Sequence, residues 1–475
     1  MLDTEQDWPI ILTVGLTFLT GYFMFAQIRT CWGGKHAQVK TKAHSVEFSG
    51  GGLRRRRMGV SKGSRTHADE YPTSHARLPV EIWEKVIDCI AAGAQEDIRE
   101  SLLTCAAVCR DWYPRSRLYL RQNLCLHKRS QLVSLIKLMH KYPESWLTPI
   151  VPVHTVSCSK FDLLAPFAAV AARRLTRIEG LSLKDAEWLP SMFHADAADV
   201  FLCLNTLTSI VRLELHNVVF PSGVVFGRLL CSLPRISLLL CDRVAFRAHG
   251  DTLGCILPPK NFRLAEIELS ESYNAVELLN TTSILHFLKT LTVRHCSRNE
   301  LKGPIQLLVD TARVSLARVH IECEDSEAPW FDRFPLDLRH NTGLQVLSIT
   351  VFVEDTQFAG WLYNLLHGAL RAELREIIIT MRVQAWVVES GLTKLFHELL
   401  EDNLCATQLD PLLLRASAAT LEAVTFELRA VAHRHEVDAL KSVPTEDRWR
   451  NHFAYLFPGL SARGILRTPV AIEIC

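Results

Sequence analysis

What this sequence lacks narrows it first. Fourteen cysteines are present, yet none stands in CxxC spacing and no cysteine pair is matched with a histidine pair at zinc-finger distances, so no metal site is expected. GxSxG, GxxxxGK(S/T), GxGxxG and HExxH are all absent, as is any paired-carboxylate motif, which removes the common local signatures of catalysis and of nucleotide cofactors. His433 and His435 stand two apart, a spacing that suits neither a helix face nor HExxH. An excess of charge is missing too: 53 Lys and Arg face 51 Asp and Glu, so nothing pulls the whole chain towards nucleic acid. What is present is a folding composition, 48% hydrophobic and 22% charged over 475 residues, enough for two or three domains. Most thiols, Cys203, Cys231, Cys241 and Cys323 among them, lie between Leu and Ile, where a free thiol acts as a small hydrophobe in a reducing compartment.

In chain order, Trp8 to Ile28 is apolar and free of charge, the length that crosses a bilayer as one helix. Acidic Asp3, Glu5 and Asp7 ahead of it argue against a cleaved signal peptide. Residues 29–76 are rich in Gly, Ser, Lys and Arg, a basic flexible linker with its densest run at Arg54, Arg55, Arg56 and Arg57. The positive-inside bias then puts the C-terminal part in the cytosol and makes that run a candidate lipid-headgroup contact. If the membrane helix is not real, the chain is expected in the cytosol or nucleus, with the same run as an import signal.

From Arg77 to Leu126 the pattern is helical. Pro79 suits a first helical turn. Ile82, Val86, Cys89 and Ile90 recur at three- and four-residue steps with Trp83 and Ile87 alongside. Asp97 and Glu100 form a capping box for a second helix carrying Ile98, Leu102, Leu103, Cys105, Ala106 and Cys109. A third follows Trp112 with Leu118 and Leu120. Three short helices make too small a core to stand comfortably alone, so such a unit completes itself on a partner or on the rest of its own chain.

These residues carry a resemblance. LPVEIWEKVIDCI followed by LLTCAAVCRDWYPRSR resembles the F-box of fungal proteins, through Leu78, Pro79, Glu81, Ile82, Trp83, Ile87, Leu103, Cys105, Val108, Cys109, Arg110, Trp112 and Tyr113; Ala107 stands where that pattern usually has Leu. The resemblance implies docking on a Skp-family adaptor and, through it, on a cullin–RING ubiquitin ligase. The implied adaptor contacts are Leu78, Pro79, Ile82, Trp83, Val86, Ile87, Leu102, Leu103, Val108, Cys109 and Trp112.

Residues 127–149 read as a helical connector, with Leu132, Leu135, Ile136 and Met139 at helical spacing. Beyond residue 150 a short phrase recurs, apolar at alternate positions: IEGLSL ending at Leu183, IVRLEL at Leu215, RISLLL at Leu240, LAEIEL at Leu269, LKTLTV at Val293, LARVHI at Ile321, LQVLSI at Ile349, LREIII at Ile379 and LEAVTF at Phe426. Most steps between these ends run from 24 to 32 residues, with helix-like segments such as Phe226 to Leu233, Val276 to Leu288 and Trp361 to Leu370 between them. The segment LTSIVRLELHNVVFPSGVVFGRLLCSLPRISLLLCDRVAF and the ending FPGLSARGIL resemble repeats that follow F-boxes in mushroom-forming fungi. The fold class expected is therefore α/β with an α-helical module: a transmembrane helix (1–28), the linker, a three-helix F-box (77–126), the connector, and a leucine-rich-repeat-like solenoid over 150–475. A doubly wound α/β domain is the alternative.

Glu322, Glu324, Asp325 and Glu327 follow directly after LARVHI, and as a loop at one rim they would receive a basic degron. The whole chain reads as a non-enzymatic, cofactor-free receptor that captures an unknown protein for ubiquitination. The alternative is a membrane-tethered scaffold using its F-box outside a ligase.

Overall fold

The computed structural model describes residues 79–92, 98–141, 153–171, 175, 177–188, 197–248, 262–281, 283–294, 302–322, 336–352, 358–369, 373–384, 405–416, 420–433 and 439–474. It begins with three helices, α1 (Val80–Ala92), α2 (Ile98–Val108) and α3 (Trp112–Gln122). The chain entering α1 is turned by Pro79, whose carbonyl accepts from the Ile82 amide at 3.1 Å.

Strand β1 (Asn123–Leu126) follows α3 without a loop and opens a sheet. After it come α4 (Arg129–Lys141), β2 (Thr155–Cys158), α5 (Phe161–Ala171), β3 (Gly180–Lys184), α6 (Ala197–Asn205), β4 (Arg212–Ser222), α7 (Gly223–Cys231) and β5 (Leu238–Ala248). Next are β6 (Glu266–Ser270), α8 (Tyr273–Asn280), β7 (Thr290–Arg294), α9 (Lys302–Ala312), β8 (Arg318–Glu322), β9 (Val346–Phe352), α10 (Phe358–Ala369) and β10 (Glu376–Gln384). The run closes with α11 (Asp410–Ala416), β11 (Ala423–Ala432), α12 (Glu446–Leu456), α13 (Pro458–Ala462), β12 (Leu466–Arg467) and β13 (Val470–Ile474). Among the described residues, thirteen strands form one sheet in sequence order, β12 and β13 both pairing with β11, and their pairings are parallel.

Register explains the core. Leu126, Cys158, Leu183, Leu215, Cys241, Leu269, Val293, Ile321, Ile349, Ile379 and Phe426 are partners from strand to strand. All eleven are buried, and the helices lay Phe167, Phe226, Leu229, Leu279, Leu308 and Leu366 into the same core. Parallel neighbours need a crossover between them, and here helices serve as most of the crossovers. Residues one position off this row, such as Glu214, Glu268 and Thr292, stay half-buried, so β4 to β8 bury one face and leave the other open.

The fold expectation is corrected on these findings. The described residues form an α/β fold in which three helices precede one thirteen-stranded parallel sheet, in place of the leucine-rich-repeat-like solenoid behind a transmembrane helix that the sequence suggested. The sheet begins at Asn123, inside the range assigned to the helical module, and α4 packs Leu132, Leu135 and Met139 into the main core instead of serving as a connector. Strands β4 and β5 run for eleven residues each, well past the recurring phrase, because their alternation continues through Val218, Phe220, Val244 and Phe246. Where a regular repeat would turn, Asp185, Asn217, Arg243 and Glu271 adopt φ of 50°, 52°, 54° and 45°, a left-handed kink shared by neighbouring strands. Beyond β6 the Ser272 hydroxyl stands in for the missing strand partner, accepting from the Val244 amide at 2.9 Å and donating to the Ser270 carbonyl at 2.7 Å. Among the described residues no helix is long and apolar enough to cross a membrane. The stretch Trp8 to Ile28 lies outside them, as does the Arg54 to Arg57 run.

Candidate functional site

The three N-terminal helices hold a core of their own. Ile87, Leu102 and Cys105 are its fully buried members, with Ile90, Ile98, Trp112, Tyr119 and Leu120 packed around them, and none belongs to the main core. The Trp83 and Trp112 rings meet at 4.6 Å between centroids, joining α1 to α3. A polar clamp reinforces the joint: Arg115 donates from Nε and Nη2 to the two Asp88 oxygens at 2.7 and 2.8 Å, and the Tyr119 hydroxyl donates to Asp88 at 2.9 Å. The Arg115 guanidinium holds the Asp88 carboxyl below its usual value against the opposing effect of burial, and the Tyr119 hydroxyl adds to the lowering.

This arrangement leaves apolar surface outside. Val80, Ile82, Leu103 and Val108 are 58%, 38%, 49% and 49% exposed, and Tyr113 is 46% exposed beneath the Arg117 guanidinium, which sits 5.4 Å from its ring centre. Each of the three helices thus keeps large apolar side chains in water. Of the expected adaptor contacts, Pro79, Ile82, Leu103, Val108 and Cys109 are exposed, Trp83, Val86 and Trp112 are half-buried, and Ile87 and Leu102 form the core. Leu78 lies outside the described residues. Leu103 and Cys109, spaced for burial in the sequence, face outward because α1 and α3 leave that side of α2 uncovered.

The expected degron-binding cluster is placed differently. Glu322 is the last residue of β8, its side chain 14% exposed, with Arg294 at 3.5 Å and Arg382 at 3.3 Å holding its carboxylate. It is one link of an alternating chain across the open face. Glu268 meets Arg294 at 3.0 Å, Arg382 reaches Glu473 at 3.9 Å, and Arg429 joins Glu473 and Glu427 at 3.2 and 2.9 Å. Glu324, Asp325 and Glu327 lie outside the described residues.

Among the described residues no group of three His, Cys, Asp or Glu side chains is arranged to hold a metal ion. The described thiols are free, and burial pushes Cys158 up to about 12, far from the thiolate a nucleophile needs. Sequence reasoning missed the Asp88 clamp, whose members stand 27 and 31 residues apart without local pattern, and the polar residues of the open face. No family model matches the chain, and no curated protein is significantly similar to it.

Proposed function

We propose that this protein is the substrate-recognition subunit of a Skp–cullin–F-box type ubiquitin ligase, its three N-terminal helices binding a Skp-family adaptor and its sheet domain capturing the protein to be modified. The supporting observation is the outward placement of Ile82, Leu103 and Val108 on a unit whose core, among the described residues, has three buried members. A helical unit with so little interior gains most by covering those side chains with a partner, at roughly 25 cal/mol for each Å² removed from water. These residues are among those through which the sequence resembles an F-box. The receptor contributes positioning, bringing a captured lysine near the ligase's activated ubiquitin, and the ligase partners carry the chemistry. This reading places the work in the cytosol or nucleus, where such ligases act.

The test is capture from cells with the tagged full-length chain. Wild type is expected to bring down a Skp-family adaptor and a cullin, and the pair Ile82→Asp and Leu103→Asp is expected to lose both while retaining wild-type circular dichroism. Recovery of no adaptor by wild type overturns the reading.

A further inference from the structure

We propose that the open face of the central strands β4 to β6 is the docking surface for an extended protein segment carrying arginine or lysine at alternate positions. The inference deepens the capture role proposed above by naming the chemistry of what is captured.

Three register rows cross these strands. They are Arg212, Leu238 and Glu266, then Glu214, Leu240 and Glu268, then His216, Asp242 and Ser270. Leu240 is the middle of this grid, with Leu238 two positions before it on the same face and a carboxylate on either side. Neighbouring strands lie about 4.8 Å apart, and alternate residues along one strand about 6.7 Å apart, so an extended partner's side chains repeat at the spacing of the rows. Each long cationic side chain has an apolar stem and a charged head. Leu238 and Leu240 offer the stem a floor, and Glu214, Asp242, Glu266 and Glu268 offer the head acceptors, with guanidinium able to take two carboxylate oxygens at once.

The carboxylates are already held in place for this. His216 lies between two of them, its ring nitrogens 3.9 Å from Glu214 and 3.5 Å from Asp242, while Arg212 touches Glu214 at 2.5 Å and Arg294 touches Glu268 at 3.0 Å. Burial works to raise the Glu214 carboxyl, but the neighbouring His216 and Arg212 outweigh it and hold it below the usual carboxylate value. An independent feature points to a ligand at the same row. Ser182, the register partner of Glu214 on β3, is only 6% exposed, and its hydroxyl has no hydrogen-bond partner. A buried orphan hydroxyl beside the grid is a place for a polar group from the docked segment.

The experiment titrates full-length protein into labelled synthetic peptides of alternating arginine and serine, and of alternating glutamate and serine, by fluorescence anisotropy. The arginine peptide is expected to bind and the glutamate peptide not to. Glu266→Gln, Glu268→Gln and Leu240→Ser should each weaken the arginine peptide by about five-fold, the loss of one surface contact. Glu266→Lys with Glu268→Lys should exchange the preference, gaining the glutamate peptide. Equal binding of the arginine peptide by wild type and this double variant, or no binding by wild type, overturns the proposal. Adaptor capture measured on the same samples reports separately on the helical module, so its loss would strike the ligase reading and not this one.

Discussion

The helical module and the sheet domain answer the same problem in opposite ways. The module closes a core on Ile87, Leu102 and Cys105 and leaves Ile82, Leu103 and Val108 in water. The sheet domain stacks one strand-to-strand row from Leu126 to Phe426 under its helices and shows alternating Glu and Arg on its open face. A unit that grows by adding strands buries its apolar face internally, whereas a unit that stops at three helices keeps one to be covered. The contrast predicts that mutations in the two cores are felt separately.

The largest effect is expected in the sheet domain. Trp449 is fully buried, its indole N–H donates to the Phe426 carbonyl at 2.9 Å, and its ring lies 4.7 Å from Phe453. Trp449→Ala should cost about 4 kcal/mol, read as a fall in the urea midpoint of the main transition. Ile87→Ala should cost about 3 kcal/mol, but hydrogen exchange should accelerate only in α1 to α3. If both variants loosen the same amides, the two cores are one and the comparison fails.

A middle-sized effect tests how the long strands end. Ser272→Ala removes the acceptor for the Val244 amide and leaves that buried donor unpaired, a loss of about 1 to 2 kcal/mol. Glu271 beside it is exposed, and Glu271→Gln should be silent in the same urea assay. Equal effects at the two positions would remove the hydroxyl's role.

The pH response should separate the units as well. Because the Arg115 guanidinium lowers the Asp88 carboxyl in the folded module, the clamp stabilises the module above the unfolded carboxylate range. That contribution is lost as pH falls through the lowered folded value. Asp88→Asn should flatten the acid limb of the module's stability, measured by hydrogen exchange of α1 and α3 between neutral and acidic pH. An unchanged limb would mean that other carboxylates carry it.

Strand positions were largely legible in the sequence, because period-two burial is a local signal. Eight of the nine phrase ends, from Leu183 to Phe426, lie on the buried row. The phrase ending at Leu240 was out by one: Cys241 pairs with Leu215, and Leu240 faces the open side. A run of three leucines hides its own phase, and the signal that would have set it is Asp242, which cannot share the buried face with Cys241. Strands β1 and β2 went unread since four-residue strands next to a helix give too short an alternation. The helical module's elements were legible from spacing, but its exposed side was not. Leu102 and Leu103 are adjacent and equally apolar, and only the packing of α1 and α3 decides which of them is covered.

The smallest expected effect on stability is the one that bears hardest on function. Leu103 and Val108 already sit in water in the free chain, so Leu103→Ser or Val108→Ser removes little buried area, and each should shift the module's stability by less than about 0.5 kcal/mol. Ile87→Ala, inside the module's core, should instead unfold the site together with that core. Adaptor binding would then fail in both sets of variants for different reasons: a folded module with a spoiled face in one, no module in the other. Circular dichroism with hydrogen exchange distinguishes them. Should Leu103→Ser destabilise the module as much as Ile87→Ala does, that face is structural, and the open surface would no longer mark a partner's place.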